Sequence, residues 1–169
     1  MSGPIGCHGV AVMTARDDLG FEVEVRSDTA CLAPLVRSLR EACGESVHVL
    51  RDPTRGGVAS ALNEIAASSG VGVRLDEGSI PFPDPVRAVC EILGLDPLYV
   101  ANEGILVAIV EEDAADEAVT AVRSNAEGSS AVRVGTITED RPGFVVLTTG
   151  LGVDRIVEML PGDQLPRIC

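Results

Sequence analysis

The sequence predicts one α/β (α+β) domain, a sandwich in which a mixed β-sheet packs with helices and a flexible tail closes the chain. Three observations carry this. Apolar runs with strand and helical periodicity alternate along the chain, neighbouring strands are joined by turns too short for crossovers, and no internal repeat or long linker divides the pattern. Hydrophobic residues make up 46% of the 169 residues and charged ones 23%, enough apolar material for one core and too much for a disordered chain.

The elements follow in order. Residues 9–19 fit a short helix ended by Gly20. In 32–43, Leu32, Leu35, Val36 and Leu39 fall at helical intervals, and Gly44 stops the helix. Val47-His48-Val49-Leu50 reads as a short buried strand leading into Asp52-Pro53-Thr54-Arg55-Gly56-Gly57 and an Ala-rich helix over 57–69, ended by Gly70. Alternation of Val71, Val73 and Leu75 predicts a strand over 71–76. Asp84 as N-cap and Pro85 in the first turn open a helix over 84–93. Strands are expected at 97–101 and 104–111 around Asn102-Glu103-Gly104, then a helix from Asp113 to Ser124. Strands at 131–137 and 143–148 follow, with a last short strand or edge at 153–159. Pro161, Gly162 and Pro166 keep the tail from forming a helix or a central strand.

Composition excludes several function classes. The net charge is −13, with 26 acidic and 13 basic residues, so a nucleic-acid backbone or an anionic membrane would be repelled. Aromatics are 2% of the chain, which leaves no platform for stacking bases. Every basic residue is Arg, so a Walker lysine, a Schiff-base lysine or a lysine base cannot come from these residues. Cys7, Cys31, Cys43, Cys90 and Cys169 form no CxxC pair, and only His8 and His48 offer imidazoles; no metal ligands are assigned. The odd, scattered cysteines suit a reducing cytoplasm. The opening has no charged stretch followed by an apolar core, and no apolar run is long enough to span a membrane, so a cytoplasmic protein is expected.

Four places carry candidate chemistry. The chain ends Pro161-Gly-Asp-Gln-Leu-Pro-Arg-Ile-Cys169, and nine extended residues reach roughly 30 Å. A thiolate there is a soft nucleophile able to accept an acyl or carbamoyl group, from an unperturbed pKa of about 8.5. The alternative is an ordinary tail that happens to end in Cys. Asp52-Pro-Thr-Arg-Gly-Gly57 sits where a strand meets a helix, as phosphate cradles do; its glycines admit an anion, Arg55 offers a planar fork and Asp52 a Mg²⁺ ligand. It is neither a Walker A nor a dinucleotide fingerprint, and Asp52 or Thr54 as a plain helix cap is the alternative. Glu103, a lone carboxylate between apolar runs, can be desolvated into a general base, or stand exposed in a hairpin turn. Gly6-Cys7-His8-Gly9 reads as a helix N-terminus lining a site, or as a loop. Cys31, Cys43 and Cys90 read as small core residues, and Glu111, Glu112, Asp113, Asp116 and Glu117 as a solvated helix start.

DPTRGGVASALNEIA (52–66), DPLYVANEG (96–104) and PGDQLPRIC (161–169) together resemble the C-terminal half of the HypE family of hydrogenase maturation factors, a resemblance that runs over essentially the whole chain. That family belongs to the PurM-like superfamily, with aminoimidazole ribonucleotide synthetase, selenophosphate synthetase and thiamine-phosphate kinase. The resemblance implies a PurM-like C-terminal α/β domain over 1–159, a mobile tail over 160–169, and an ATP-binding, dimer-forming N-terminal domain absent from these residues. It implies that the terminal cysteine accepts a carbamoyl group from the carbamoyltransferase HypF. ATP with Mg²⁺ then dehydrates the thiocarbamate to a thiocyanate, and the cyano group passes to iron on a HypC–HypD scaffold to become a CN⁻ ligand of [NiFe]-hydrogenase. Carried over, Cys169 is the carrier, Asp52, Thr54, Arg55, Gly56 and Gly57 form the wall facing the nucleotide, and Glu103 is the proton acceptor. Cys7 stands where the family usually has Asp. Without the N-terminal half, the chain is expected to bind ATP weakly and to form no thiocyanate alone. The alternatives are a domain of another PurM-like synthetase or kinase, which would lack the terminal Cys, or a non-catalytic module that docks a maturation scaffold.

Overall fold

The computed structural model describes residues 1–15 and 24–159. Along the chain run α1 (Cys7–Thr14), α2 (Ala33–Cys43), β1 (Val47–Arg51), α3 (Gly57–Ser69), β2 (Gly72–Asp76), α4 (Asp84–Leu93), β3 (Val107–Val110), α5 (Ala115–Arg123), β4 (Gly135–Thr138), β5 (Val145–Thr148) and β6 (Asp154–Val157). Strands β4-β2-β5-β6 form one mixed sheet in that order, with β2 parallel to β5 and the other pairs antiparallel. Strands β1 and β3 form a separate antiparallel ribbon, so the one mixed sheet expected from sequence is two sheets among the described residues. No described helix is long and apolar enough to cross a membrane.

Three apolar clusters hold these pieces together. Helix α3 lays Val58, Leu62 and Ile65 on the inner face of the four-stranded sheet, against Val73, Leu75, Val145, Leu147 and Val157. Helices α2 and α5 cover one face of the ribbon through Leu35, Leu39, Ala118 and Val122. Helices α1 and α4 pack on each other through Val10, Met13, Val86 and Val89. The segment 98–107 supplies all three: Leu98, Tyr99, Ile105 and Val107 to the first, Leu106 to the second and Val100 to the third. Burial of each such aliphatic side chain contributes about 1.5–3 kcal/mol, so this irregular segment is the seam of the fold.

Several boundaries differ from the sequence reading. Residues 97–101 are not a strand: Pro97–Tyr99 make a 3₁₀ turn, because the Asp96 carboxylate accepts the N–H of Leu98 and caps it. Helix α1 starts at Cys7 rather than at residue 9, and residues 16–20 lie outside those described. The N-cap of α4 is Pro83, with Asp84 as its first residue and no side-chain cap. A 3₁₀ turn at Glu112–Ala114 precedes α5, which starts at Ala115 rather than at Asp113. Strands β3 and β4 are shorter than predicted, and β4 begins at Gly135 rather than at 131. Strand β1 is half-exposed rather than buried, since only one strand flanks it. Cys43 and Cys90 are core residues as expected, but Cys31 is exposed at the foot of α2. Glu111, Glu112, Asp113, Asp116 and Glu117 are solvated, as read from the sequence.

Candidate functional site

Two helix starts converge on one buried side chain. Asn102 is 1% exposed. Its Oδ1 accepts the N–H of Gly6, the residue that opens α1, at 2.7 Å, and its Nδ2 donates to the carbonyls of Pro53 and Val100, each at 3.0 Å. Pro53 belongs to the loop that opens α3, so this amide ties α1, α3 and the seam together. Glycine makes the approach possible. At Gly57 the backbone is left-handed (φ 59°), and a Cβ there would collide with the carbonyl of Leu98. At Gly104 a Cβ would overlap the carbonyl oxygen of Asp28, which brings the 27–29 segment against the same seam.

The sequence-predicted residues fall around this knot. Thr54 donates from Oγ1 to Oδ2 of Asp52 at 2.6 Å, a bond that holds the Asp52 carboxyl below the usual carboxylate range. Neither side chain caps α3. Its N-cap is Gly56, left-handed at φ 65° with no side-chain bond, so the capping alternative is set aside. Arg55 is exposed, and no hydrogen bond or ion pair occupies its guanidinium among the described residues. The loop therefore pairs an ionised carboxylate with an uncommitted fork beside consecutive left-handed glycines, of which Gly57 donates its N–H back to the Thr54 carbonyl at 3.3 Å.

Glu103 is half-buried, and it lies on the seam rather than in a hairpin, because no strand precedes it. Its N–H donates to Oδ1 of Asp28 at 3.1 Å. Burial pushes the Asp28 carboxyl up, against the opposing pull of the Glu103 and Gly104 N–H groups and of His8. Oδ2 of Asp28 is buried without a hydrogen-bond partner. His8 meets Ser27 at 2.9 Å through Nδ1, and Ser27 meets Thr29 at 2.7 Å. The Cys7 thiol is pushed up by burial and then by the Asp28 charge, so it is a poor nucleophile. The structure thus brings Asp52, Thr54, Arg55, Gly56, Gly57, Glu103 and the Cys7-His8 helix start to one place. Sequence reasoning missed Asn102 and Asp28; Asn102 stood beside Glu103 in the motif, whereas Asp28 carried no local signal. Among the described residues no group of three or more His, Cys, Asp or Glu side chains is arranged to hold a metal. Cys169 and the rest of 160–169 lie outside the described residues.

The family described as AIR synthase related protein, C-terminal domain, matches residues 1–148. The chain belongs to this family. As an AIR synthase-related C-terminal domain it is 52% identical to the carbamoyl dehydratase HypE of Cupriavidus necator, over all of this chain and 48% of that protein. Among solved structures, hydrogenase maturation protein HypE in complex with ATP superposes with a TM-score of 0.91 at 43% identity, covering 99% of this chain and 51% of that one. HypE in a HypE–HypF complex gives 0.87 at 43% identity, covering 93% and 50%. The domain spans about half the length of the curated relatives it matches. The likeness to HypE read from 52–66, 96–104 and 161–169 is thereby borne out, as is the α/β fold.

Proposed function

We propose that this chain is the C-terminal domain of an ATP-dependent carbamoyl dehydratase, made of a PurM-like body over 1–159 and a carrier tail over 160–169. Its ATP-binding half would be supplied by preceding sequence. The observation that carries this reading is the conjunction, in one chain, of a terminal cysteine with the loop 52–57 and Glu103, on a body whose seam and α3 hold the start of the tail. Tyr99 donates its hydroxyl to the carbonyl of Glu158 at 2.7 Å, and Asn63 donates to that of Val157 at 2.9 Å. The chain is therefore anchored beside the seam up to residue 158, and the ten residues from Leu160 to Cys169 reach about 33 Å at full extension. That length lets one sulfur visit both a partner that loads it and the wall formed by Asp52, Thr54, Arg55, Gly56 and Gly57.

The reaction balances as a dehydration. Cys169 Sγ carries –C(O)NH₂, whose oxygen is a very poor leaving group. ATP supplies the phosphoryl group that turns this oxygen into phosphate, with ADP released. One N–H proton is lost to solvent as the O-phosphorylated imidate –C(OPO₃²⁻)=NH forms; Glu103 then takes the second, the C–O bond breaks to release phosphate, and Cys169 keeps –S–C≡N. Arg55 and the left-handed glycines steady anionic oxygens, and Asp52, held ionised by Thr54, offers one oxygen ligand to the Mg²⁺ that accompanies the nucleotide. A cytoplasmic setting, HypF as the source of the carbamoyl group, a HypC–HypD scaffold as the acceptor of cyanide and a homodimer built by the ATP-binding half complete the proposal.

Deletion of Ile168 and Cys169 in the full-length protein tests it. Thiocyanate formation, followed as loss of one water from the carbamoylated C-terminal peptide by mass spectrometry, should vanish. Survival of that product would sink the carrier role, and loss of scaffold docking alone would favour a binding module. The 169-residue chain with ATP and a carbamoyl donor should show no cyano adduct at Cys169.

A further inference from the structure

Helix α1 is pinned to the seam on both sides of His8. Gly6 donates its N–H to Oδ1 of Asn102 at 2.7 Å, and Gly9 donates to the carbonyl of Ala101 at 3.0 Å. From that fixed turn the His8 ring reaches the 27–29 segment, where Nδ1 meets Ser27 Oγ at 2.9 Å. Neutral or protonated, an imidazole can keep this bond, by accepting the hydroxyl proton or by donating to the oxygen. The same Ser27 oxygen meets Thr29 Oγ1 at 2.7 Å and accepts the Thr29 N–H at 3.1 Å, which closes a tight turn around Asp28. Asp28 then accepts the N–H of Glu103 on Oδ1 at 3.1 Å, and the Gly104 N–H also faces its carboxylate. Glu103 follows Asn102 in the chain, so the bonds form a closed circuit: α1, His8, Ser27, Asp28, Glu103, Asn102 and back to α1.

We propose that His8, Ser27 and Asp28 are positioning residues for Glu103, the ring seating a turn whose carboxylate grips the Glu103 backbone. The inference rests on the reading of Glu103 as the proton acceptor and adds what aims it. Glu103 is held twice, through its own chain at Asn102 and through its N–H at Asp28. The carbonyl of Asp28 fills the space that a Gly104 Cβ would need, so the turn lies directly against the residue after Glu103. Folding stability does not account for this arrangement. Ser27 and Thr29 are exposed and His8 is half-buried, so water competes for their bonds, which contribute little. Asp28 costs stability where it stands, because Oδ2 is buried without a hydrogen-bond partner among the described residues and burial pushes the carboxyl up. A chain of weak exposed bonds that holds a costly buried carboxylate against one backbone N–H makes sense as aim. A catalytic base has to be held to a fraction of an ångström, and such precision comes from the groups behind it.

The test uses the full-length protein, ATP-binding half included, carbamoylated at Cys169 with cyanate, and follows loss of water from the C-terminal peptide in a single turnover. His8→Ala and Asp28→Ala should each slow this step by about tenfold or more at an unchanged ATP half-saturation. His8→Asn, whose amide can replace Nδ1, and Asp28→Asn, which keeps an oxygen for the Glu103 N–H, should stay within about threefold of the parent. Amide exchange at Glu103 should accelerate by about tenfold in the two Ala variants and not in the Asn variants, with exchange at Val73 and Val145 in the core unchanged. Ala variants that dehydrate at the parent rate, Asn variants as slow as the Ala ones, or Glu103 exchange that does not respond would each overturn the proposal. Glu103→Gln is the separate control: dehydration at the parent rate in that variant would remove Glu103 as the base, and exchange at the Glu103 N–H would then decide alone whether these three residues hold its backbone.

Discussion

Replacing Asn102 by Ala tests whether one amide holds the site together. The substitution strands three buried groups at once: the N–H of Gly6 and the carbonyls of Pro53 and Val100. Gly6, Pro53 and Val100 are themselves buried, so water does not reach these groups without opening the seam. Each unsatisfied group costs about 1–3 kcal/mol. A single water admitted to the vacated space would rescue part of that, leaving a loss of about 3–5 kcal/mol, a large share of the roughly 5–15 kcal/mol that holds a domain folded. With a urea m-value of about 2 kcal/mol/M, the midpoint should fall by about 1.5–2.5 M at unchanged m. Asn102→Asp is the sharper control. It keeps the acceptor for Gly6 but turns the donor into an oxygen facing two carbonyl oxygens. The new carboxyl is favoured protonated in the folded state, so the variant should be most stable below about pH 4 and lose stability as pH rises. A midpoint shift under about 0.5 M for Asn102→Ala, or no pH dependence for Asn102→Asp, would refute the reasoning.

Three further outcomes follow from the same geometry. Gly104→Ala places a methyl group into the carbonyl of Asp28, so the 27–29 segment must move; amide exchange at Glu103 should accelerate and the urea midpoint should fall, by about 2 kcal/mol or more in stability. Burial raises the Asp28 carboxyl in the folded state, so its contribution is fully present below about pH 4 and is lost as pH rises through the raised value. Asp28→Asn should therefore flatten the stability profile above that pH, and a profile that parallels the parent chain would contradict the desolvation account. Among the described cysteines, iodoacetamide should label exposed Cys31 first, and Cys7, Cys43 and Cys90 far more slowly, because burial raises all three thiols, Cys90 to about 11. Peptide mapping at neutral pH checks the order.

What the sequence made legible was the part governed by periodicity. Leu35 and Leu39, one helical turn apart, announce α2, and alternating Val73 and Leu75 announce β2 with its buried face. The loop 52–57 was legible as a strand-to-helix junction, because consecutive glycines before an Ala-rich run have few other uses. Residues 97–106 were not. Leu98, Tyr99, Val100, Ile105 and Leu106 form an apolar run like that of a central strand, yet they are buried because three separate clusters surround them, not because strands flank them. Burial in an irregular segment and burial in a sheet leave the same composition, and only the Asp96-Pro97 start, which caps a 3₁₀ turn, hinted at the difference. The role of Asp28 was invisible for another reason. Its partner Glu103 lies 75 residues away, and the contact depends on the missing Cβ of Gly104.

Those irregular residues explain why the candidate site sits where it does. A regular strand satisfies its own N–H and C=O groups with its neighbours and has few left for incoming elements. The seam instead offers carbonyls at Leu98, Val100 and Ala101 that no neighbouring strand takes, and the two helix starts close against them: Gly57 packs beneath Leu98, Gly9 donates to Ala101 at 3.0 Å, and Asn102 donates to Val100 and bridges Gly6 to Pro53. Both helices therefore present their N-termini on the same side of the chain, flanking Glu103. In a chain of net charge −13 an anionic substrate meets repulsion almost everywhere, so the uncommitted Arg55 and the left-handed Gly56-Gly57 turn matter out of proportion to their number. On the proposed reading, the turn that lets α3 pack against the seam also leaves the helix start without a side-chain cap, so the packing of the domain and the binding of an anion there would be coupled.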